Sequence, residues 1–381
     1  MFDQVMKVSV DGLMKSPSPT EDKNCYLLLR RAVQYVIGGS PPEVAFKRAV
    51  SDLSRSVPGC YDVFLEVLRH LPCVWKKYPL LDLGSSEAIS KALECKEEVC
   101  LPNWIYQRLI RLLGEQGIRN LHRRRKWVRI NTLKIDEEEA VNLMTRKGYS
   151  FERDKDFPYL LEWRTPHVIS TPEYSSGVLI PHDKATSYVV QVLDPKPGEI
   201  VLELGGSPGV KTSLIQQMTR NSSFVISVDI SAKRLELQRQ LMKKWGVENV
   251  QLVNADGAKM WVRRVHKVLI DAPCTNSGTI NADPSLPIRL RKRELLNLVR
   301  IQERILSEAI KLGVPVVYST CSLFPEEGEL QVERYSRYLV KIAEDPSFLG
   351  YRRSKVWLRV MRTYPHVHYT EGFFIAKLNP Q

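Results

Sequence analysis

The second half of the chain alternates short apolar runs with amphipathic segments, and this alternation restricts the fold more than any other feature. From Gly177 onward the segments between the apolar runs place hydrophobic residues at i, i+4 spacing, as a helix face requires. Parallel strands need a crossover, usually a helix, between them, so the pattern predicts an α/β fold with a doubly wound, Rossmann-like sheet. The predicted strands are residues 200–204, 224–228, 250–253, 268–270 and 314–318.

Two pieces of different character precede this α/β region. Residues 22–113 have apolar residues at helical spacing, broken by the turn-forming residues of 38–42 and by Pro58-Gly59. The alternating stretch 128–133 follows a basic run and favours a strand. We therefore predict a helical domain at 1–115, a small α+β module at 116–175, and the α/β domain at 176–381.

The charge balance of the chain favours a polyanionic partner. Its 381 residues contain 56 Lys and Arg against 43 Asp and Glu, a formal net charge of +13. No apolar run approaches the roughly 18 residues that span a membrane, and residues 1–12 lack the profile of a signal peptide. These features predict a soluble, cytoplasmic protein that does not bind membranes, which we expect to be a monomer.

Seven cysteines are scattered through the chain without the dense spacing of a disulfide scaffold, so we predict that most are free thiols. Cys25, Cys60 and Cys73 lie within or beside apolar helical patterns and are expected to pack as small hydrophobic residues. Cys95 and Cys100 have no evident role. Because no C-x-x-C pair is present, we predict no metal site.

The first strand of the α/β region ends in a glycine-rich turn that suits a nucleoside ligand. The turn opens a helix at Lys211-Thr212, and it fits neither the P-loop register nor the dinucleotide fingerprint. Asp229, twenty residues after Gly209 at the end of the next strand, is placed to accept hydrogen bonds from ribose hydroxyls, and Asp256 to meet an adenine amino group. The candidate cofactor-binding residues are Gly205, Gly206, Ser207, Pro208, Gly209, Lys211, Asp229, Arg234, Asp256 and Asp271.

Two cysteines follow the last two predicted parallel strands. Cys274 lies in Asp271-Ala272-Pro273-Cys274-Thr275 and Cys321 in Ser319-Thr320-Cys321-Ser322, and polar residues flank both. Because the carboxyl ends of parallel strands meet at one edge, both thiols should face one cleft. They could form a disulfide, half of a metal site or a pair of catalytic groups, and the absence of paired metal-ligand spacings disfavours metal.

These motifs resemble the Nol1/Nop2/Sun (RsmB-like) family of S-adenosylmethionine-dependent RNA cytosine-5 methyltransferases. The resemblance rests on the two cysteine motifs, with Ser277-Gly278-Thr279 after the first, and covers roughly Lys126 to the C-terminus. Three further segments carry it, in the family's order: Arg129-Ile130-Asn131-Thr132-Leu133-Lys134, Arg362-Thr363-Tyr364-Pro365-His366 and Glu371-Gly372-Phe373-Phe374-Ile375-Ala376.

The resemblance implies a mechanism and a cofactor, S-adenosylmethionine. Cytosine C5 becomes nucleophilic only after a nucleophile adds at C6, and the family's Thr-Cys cysteine, here Cys321, has that role. The resemblance implicates Cys274 in removing the C5 proton or releasing the product, and Asp271 in contacting the cytosine. DNA cytosine-5 methyltransferases assign the cysteines the other way, so swapped roles stay open.

The cofactor turn departs from the family pattern. It reads Glu203-Leu204-Gly205-Gly206-Ser207-Pro208-Gly209-Val210-Lys211-Thr212, where the family usually has Asp, then Cys-Ala-Ala, and a second Gly after Pro-Gly. His182 also stands where the family commonly has Gln, and we assign it no catalytic role. Because Pro208, Gly209, Lys211 and Thr212 remain in register, we expect cofactor binding to be retained.

The basic residues form three clusters, around residues 119–129, 289–293 and 352–362. With Trp127, Trp357 and Tyr364 interleaved, they suit phosphate contacts and the stacking of unpaired bases. The resemblance and the charge together imply an RNA partner, either rRNA or tRNA. The candidate RNA-binding residues are Arg123, Arg124, Arg125, Lys126, Arg129, Asn131 and His366.

Two functions of other classes remain open from the sequence. A noncatalytic RNA-binding or ribosome-assembly factor could keep the fold, and the altered turn at Gly206-Ser207 leaves room for it. A dehydrogenase could use a similar sheet, but it gives no reason for two cysteines at strand ends or for a basic surface.

Overall fold

The computed structural model describes residues 22–165, 168–259 and 262–380, so the first twelve residues, on which the signal-peptide argument rested, lie outside the described part. The chain divides into two compact units. The first ends at Pro102 and also includes Pro287–Arg289, and the second comprises Asn103–Leu286 and the residues from Leu290 onward. Among the described residues no helix combines the length and apolar character needed to cross a bilayer.

The first unit is built from amphipathic helices. The side chain of Asp22 accepts a hydrogen bond from the Asn24 backbone N–H and caps the first helix, because the early N–H groups of a helix have no partner within it. Apolar faces led by Leu28, Leu68 and Ile89 form one buried core. The helices are α1 (Lys23–Ile37), α2 (Pro42–Leu53), α3 (Cys60–Lys77) and α4 (Ser86–Leu93).

The prediction that most cysteines are free thiols is wrong. Cys25 in α1 is disulfide-bonded to Cys60 at the start of α3, and Cys73 in α3 is bonded to Cys100 after α4. Helical periodicity placed Cys25, Cys60 and Cys73 on buried faces, and it could not show which sulfur atoms meet across the core. Cys95, Cys274 and Cys321 are the free thiols.

The second unit begins with helix α5 (Asn103–Arg119) and a small antiparallel sheet of order β2-β3-β1-β4. Strand β1 lies between β3 and β4, with Val128 opposite Leu161 and Pro181. All four residues of β1 are buried, because it is an inner strand. The elements of this region are β1 (Trp127–Ile130), α6 (Glu137–Arg146), β2 (Phe151–Arg153), β3 (Leu160–Trp163), α7 (Pro172–Ser176) and β4 (Leu179–Pro181).

The predicted doubly wound sheet is confirmed. Its strand order is β10-β12-β9-β8-β5-β6-β7, and β11 also pairs with β12. Neighbours from β7 through β9 are parallel, whereas β12 runs antiparallel to β9. The chain order reverses between β5 and β8, which is the switch point where such sheets bind ligands. The strands are β5 (Ile200–Leu204), β6 (Phe224–Asp229), β7 (Val250–Asn254), β8 (Lys267–Asp271), β9 (Val316–Thr320), β10 (Leu339–Val340), β11 (Met361–Arg362) and β12 (Phe374–Leu378).

Helices connect these strands as the sequence pattern requires. Leu235, Met242 and Trp245 of α10 are buried, as are Ile305 and Ala309 of α12. The remaining helices are α8 (Lys184–Leu193), α9 (Val210–Met218), α10 (Ala232–Trp245), α11 (Leu286–Arg289), α12 (Lys292–Ile310), α13 (Glu329–Val332) and α14 (Pro365–His368).

A fully buried ion pair joins α13 to β11. Arg362 Nε and Nη2 donate to the two carboxylate oxygens of Glu329 at 2.7 and 2.6 Å, and both side chains are 0% exposed. Arg362 Nη1 also donates to the carbonyl oxygen of Ser322 at 2.8 Å. This pair therefore fixes the loop that carries Cys321, because Ser322 is its next residue.

We expect Glu329→Gln to lower the free energy of unfolding by about 3–5 kcal/mol, because it leaves the buried guanidinium of Arg362 without a counter-charge. Urea denaturation of the full chain measures the change. Glu236→Gln, which breaks the exposed pair with Arg239, is the control and should cost no more than about 1 kcal/mol. Equal effects of the two substitutions would contradict a structural role for the buried pair.

Candidate functional site

The carboxyl ends of the parallel strands surround one cavity of ≈ 430 Å³. Its wall includes Gly205 after β5, Asp229 at the end of β6, Asp256 after β7 and Asp271 at the end of β8. Cys274, Asn276 and Cys321 complete the rim. The structure therefore brings five of the predicted cofactor-binding residues and the two predicted thiols to one cavity, and the five residues are Gly205, Asp229, Arg234, Asp256 and Asp271.

The turn after β5 needs glycine for steric reasons. Gly205 has φ +83°, and a Cβ there would lie 2.2 Å from the carbonyl oxygen of Asp271. A Cβ at Gly206 would lie 2.6 Å from Glu203 Oε2 and 2.2 Å from Ser227 Oγ. The side chains of Ser227 and Glu203 together occupy the space that an alanine at 206 would need, which explains the glycine at this position.

The rest of the turn leads into α9. The Ser207 hydroxyl donates to Gln238 Oε1 at 2.8 Å, Pro208 is exposed, and Gly209 is the left-handed residue directly before the helix. Lys211 and Thr212 lie in the first turn of α9, and the Thr212 hydroxyl donates to Glu203. Burial raises the pKa of Glu203 to about 7.

Asp229 has the free acceptor that a ribose hydroxyl requires. Its Oδ1 accepts a hydrogen bond from the Ser231 backbone N–H at 2.8 Å. Its buried Oδ2 has no hydrogen-bond partner within the described residues, and Arg234 Nη1 lies 3.4 Å from it. Since buried polar atoms are rarely left without a hydrogen bond, and Asp229 lines the cavity, this oxygen suits a nucleoside donor group.

Arg234 and Asp256 have different local roles. Arg234 donates to the carbonyl oxygen of Ser207 and so ties α10 to the glycine-rich turn. Asp256 is half-buried on the cavity wall, and its Oδ1 accepts from the Ala258 backbone N–H at 3.0 Å. This bond fixes the loop after β7, and only the other carboxylate oxygen is left to meet a ligand.

Lys211 and Asp271 form an ion pair at the switch point, with Lys211 Nζ 2.7 Å from Asp271 Oδ2. Burial disfavours the charge of Lys211, but the Asp271 carboxylate outweighs it and raises the pKa of the lysine. Lys211 therefore carries a positive charge at neutral pH, between the cofactor turn and the cysteine loop. The sequence predicted both residues, although not their contact.

The two thiols lie 3.1 Å apart, measured between Cys274 Sγ and Cys321 Sγ. Asn276 contacts both, with its Oδ1 2.9 Å from Cys321 Sγ and 3.5 Å from Cys274 Sγ. The hydrogen bond that the Cys321 thiol donates to Cys274 raises the pKa of Cys321 well above its usual range, and burial, the charge of Cys274 and the carboxylates of Asp271 and Glu371 act in the same direction. Cys321 therefore rests as a thiol.

A buried acid, Glu327, fixes both cysteine loops, and the sequence analysis assigned it no role. Its carboxylate accepts hydrogen bonds from the Thr275 backbone N–H at 2.9 Å and from the hydroxyls of Thr275 and Ser322. Thr275 directly follows Cys274, and Ser322 directly follows Cys321. The run Pro325-Glu326-Glu327-Gly328-Glu329 just after the second cysteine motif is the signal that could have indicated it.

Backbone hydrogen bonds join the same loops to the segment before β12. The Gly278 N–H donates to the Cys321 carbonyl oxygen at 3.0 Å, and the Gly372 N–H donates to the Gly278 carbonyl oxygen at 2.8 Å. A Cβ at Gly278 would lie 1.8 Å from the Gly372 oxygen, so no other residue fits there. This close approach of the two backbones explains the glycine at position 278.

The predicted RNA-binding residues divide by exposure. Arg123, Arg124, Arg125 and Lys126 are exposed. His366 is half-buried beside Gly117 of α5, since a Cβ at Gly117 would lie 2.9 Å from the imidazole, and burial lowers the pKa of His366. Of the four exposed residues, Arg125 is paired with Glu162, its Nη1 lying 2.8 Å from Glu162 Oε2.

Several other candidates are corrected by their burial. Arg129 is 0% exposed and donates to Ser213 Oγ at 2.5 Å, and Asn131 is 1% exposed and donates to the carbonyl oxygens of Gly177 and Trp245. They hold β1 in place and do not reach the surface as phosphate contacts. Trp127, Tyr364 and Arg362 are likewise buried, so they offer RNA neither a stacking surface nor a charge.

Residues 190–379 match the family model described as 16S rRNA methyltransferase RsmB/F. The chain is 33% identical over 224 residues to a tRNA (cytosine(72)-C(5))-methyltransferase from Pyrococcus horikoshii, covering 58% of this chain and 57% of that protein. It is 29% identical over 276 residues to the 25S rRNA (cytosine-C(5))-methyltransferase nop2 from Schizosaccharomyces pombe, covering 66% and 45%. The chain thus spans about half the length of these curated relatives.

Solved structures show the same fold. The crystal structure of PH0851 superposes with a TM-score of 0.80 at 24% identity, covering 96% of this chain and 99% of that one. A methyltransferase homologue from Pyrococcus horikoshii superposes with a TM-score of 0.64 at 30% identity, covering 77% and 98%.

The short distance between the thiols predicts a pH shift in Cys274→Ala. Because Cys274 is the largest cause of the raised pKa of Cys321, its removal should move the pH midpoint of Cys321 alkylation downward. A Cys95→Ala background removes the other free thiol, and mass mapping of alkylated peptides across pH 6–11 gives both profiles. Unchanged or higher midpoints in Cys274→Ala would show that the sulfur atoms do not interact as described.

Proposed function

Since the chain belongs to the RsmB/F methyltransferases of the Nol1/Nop2/Sun family, we propose that it transfers a methyl group from S-adenosylmethionine to C5 of a cytosine in structured rRNA or tRNA. The observation that carries this proposal is the pair of thiols 3.1 Å apart at the ends of adjacent parallel strands, on the rim of the cavity that contains Asp229. A cofactor site needs no pair of thiols, whereas addition to a cytosine and its reversal need a nucleophile and a base, and two adjacent thiols can supply both.

The cavity residues would hold the cofactor. The free Oδ2 of Asp229 suits a ribose hydroxyl, Asp256 lies where an adenine amino group would be met, and Gly205 lets the backbone approach closely. When bound, S-adenosylmethionine supplies an electrophilic methyl group.

Cys321 is the proposed nucleophile. Its raised pKa means that it must first lose a proton, and Cys274, half-exposed and 3.1 Å away, gives that proton a route to water. Attack of Cys321 Sγ on C6 forms an Sγ–C6 bond and opens the C5=C6 double bond. The electron pair released to C5 makes that carbon able to accept the methyl group.

Cys274 is the proposed base for the second half of the reaction. Its thiolate takes the C5 proton, the electron pair left on C5 re-forms the double bond, and the Sγ–C6 bond breaks to return Cys321 as a thiolate. Asp271 is placed to hydrogen-bond the cytosine ring edge, and the charged Lys211 holds its carboxylate in position at 2.7 Å. This assignment gives Cys321, Cys274, Asp271 and Lys211 one task each.

The exposed residues Arg123, Arg124, Arg125 and Lys126 are the proposed phosphate contacts, in the small module we assign to residues 116–175. The target cytosine must leave its stack to expose C6, so a bulge, loop or helix end is the expected substrate. We assign the N-terminal helical domain a role in selecting RNA or binding a partner, because its helices provide none of the cavity residues.

Covalent trapping on RNA tests the proposal and the cysteine roles. With rRNA and tRNA transcripts that contain 5-fluorocytidine, the C5 position cannot lose its substituent as a proton, so the adduct persists. We expect Cys321→Ala to form no adduct and Cys274→Ala to form it, as detected by denaturing electrophoresis. The reverse pattern would assign the roles the other way, and trapping by neither the wild type nor Cys274→Ala would contradict the proposed function.

Asn276 should matter for the rate at which the adduct forms. Asn276→Gly keeps the left-handed backbone, φ +56°, and removes the amide that contacts both sulfur atoms. Because Asn276 Oδ1 accepts from the Cys321 thiol, it stabilises the protonated, unreactive form of that cysteine. Losing this hydrogen bond, worth about 1 kcal/mol, should therefore speed trapping roughly fivefold while leaving cofactor affinity unchanged. Asn249→Gly, at an equally left-handed position with φ +54°, is the matched control. Equal rates for the two variants would remove Asn276 from the site.

A further inference from the structure

Three cysteines of the N-terminal unit converge outside the methyltransferase site. Cys73 comes from α3, and Cys95 and Cys100 come from the segment after α4, and their three Sγ atoms all lie within 4.8 Å of one another. Cys73 and Cys100 are buried and disulfide-bonded, whereas Cys95 is a half-buried free thiol. The proposed methyl transfer uses none of these residues.

A disulfide accounts for only two of the three sulfur atoms. Glu97 adds a fourth donor, since its Oε2 lies 3.3 Å from Cys73 Sγ. Cys95 and Cys100 are separated by four residues, which is a spacing seen in structural zinc sites. Zn–S bonds of about 2.3 Å place the ligands of a tetrahedral site about 3.8 Å apart, on the same scale as this cluster.

The surroundings also suit a cation held by several anionic ligands. Cys95 and Glu97 line an open cavity of ≈ 490 Å³, which gives an ion a path to the sulfur atoms. Lys77, Lys91 and Lys96 line the same cavity. Three thiolates and one carboxylate would exceed the charge of a divalent cation by two, and the three lysines would offset that excess.

We propose that reduction of the Cys73–Cys100 bond turns this cluster into a binding site for a soft divalent cation such as Zn²⁺. A dithiol supplies two electrons and two protons, the Sγ–Sγ bond breaks to two thiols, and the dithiol is itself oxidised to a disulfide. Cys73, Cys95 and Cys100 then each release a proton and bind the ion as thiolates, with Glu97 as the fourth ligand. This site was not predicted from the sequence, because Cys73 is distant in the chain from Cys95 and Cys100.

Cobalt binding to the full-length protein tests the proposal. Co²⁺ is the probe, because it enters tetrahedral thiolate sites and gives thiolate-to-metal charge-transfer absorption. After treatment with a dithiol and its removal without oxygen, we expect one Co²⁺ per chain with this absorption, displaced by Zn²⁺. The oxidised protein should lack the signal, because its only free thiol at the site is Cys95.

Variants locate the site. Cys95→Ser should abolish the signal, and Glu97→Gln should weaken Co²⁺ binding about tenfold or more. Cys25→Ser/Cys60→Ser and Cys274→Ala/Cys321→Ala should keep it, because those thiols lie in other clusters. Circular dichroism checks that Cys95→Ser remains folded. If this variant does not fold, the Co²⁺ affinity of Glu97→Gln tests the site instead. No Co²⁺ binding after reduction, or a signal that depends on Cys274 and Cys321 instead, would overturn the proposal.

Discussion

The buried carboxylate of Glu327 is the contact on which the geometry of the candidate active site depends. It binds the residue after each cysteine, Thr275 in one loop and Ser322 in the other, so it sets the distance between two loops that leave different strands. Gln302 of α12 also donates to this carboxylate at 2.9 Å, and Arg362 holds the Ser322 carbonyl from the opposite side. A carboxylate with so many hydrogen-bond donors can remain buried. By joining the two loops, Glu327 keeps the two thiols in contact, whereas the sheet alone would not fix the distance between them.

Most of the fold and half of the site could be predicted from the sequence. Strands in a parallel sheet are apolar runs, and the polar residues at their ends must meet at one edge, so Asp229, Asp271, Cys274 and Cys321 were identified without a structure. The predicted sheet is confirmed, and these residues do lie at one edge of it, because both expectations depend on local periodicity and on a topology with few alternatives.

The wrong predictions have a common physical cause: the residues concerned make contacts with groups that are distant in the chain. Arg129 and Arg362 belong to basic clusters in the sequence, yet each is fully buried against groups far along the chain, Ser213 for the first and Glu329 for the second. A charge run indicates a solvated face only where no distant acceptor exists, which the sequence does not reveal. The pairing of Cys73 with Cys100 was missed for the same reason. With Cys95, this pair brings three sulfur atoms together.

Nucleoside analysis shows whether the protein, through the paired thiols Cys274 and Cys321, methylates cytosine at C5. The purified protein would be incubated with S-adenosylmethionine carrying an isotopically labelled methyl group and with unmodified rRNA and tRNA transcripts, which are then digested and separated by liquid chromatography and mass spectrometry. We expect label in 5-methylcytidine with the wild-type protein, and none with Cys321→Ala. Label in another nucleoside, or 5-methylcytidine formed equally well without Cys321, would contradict it.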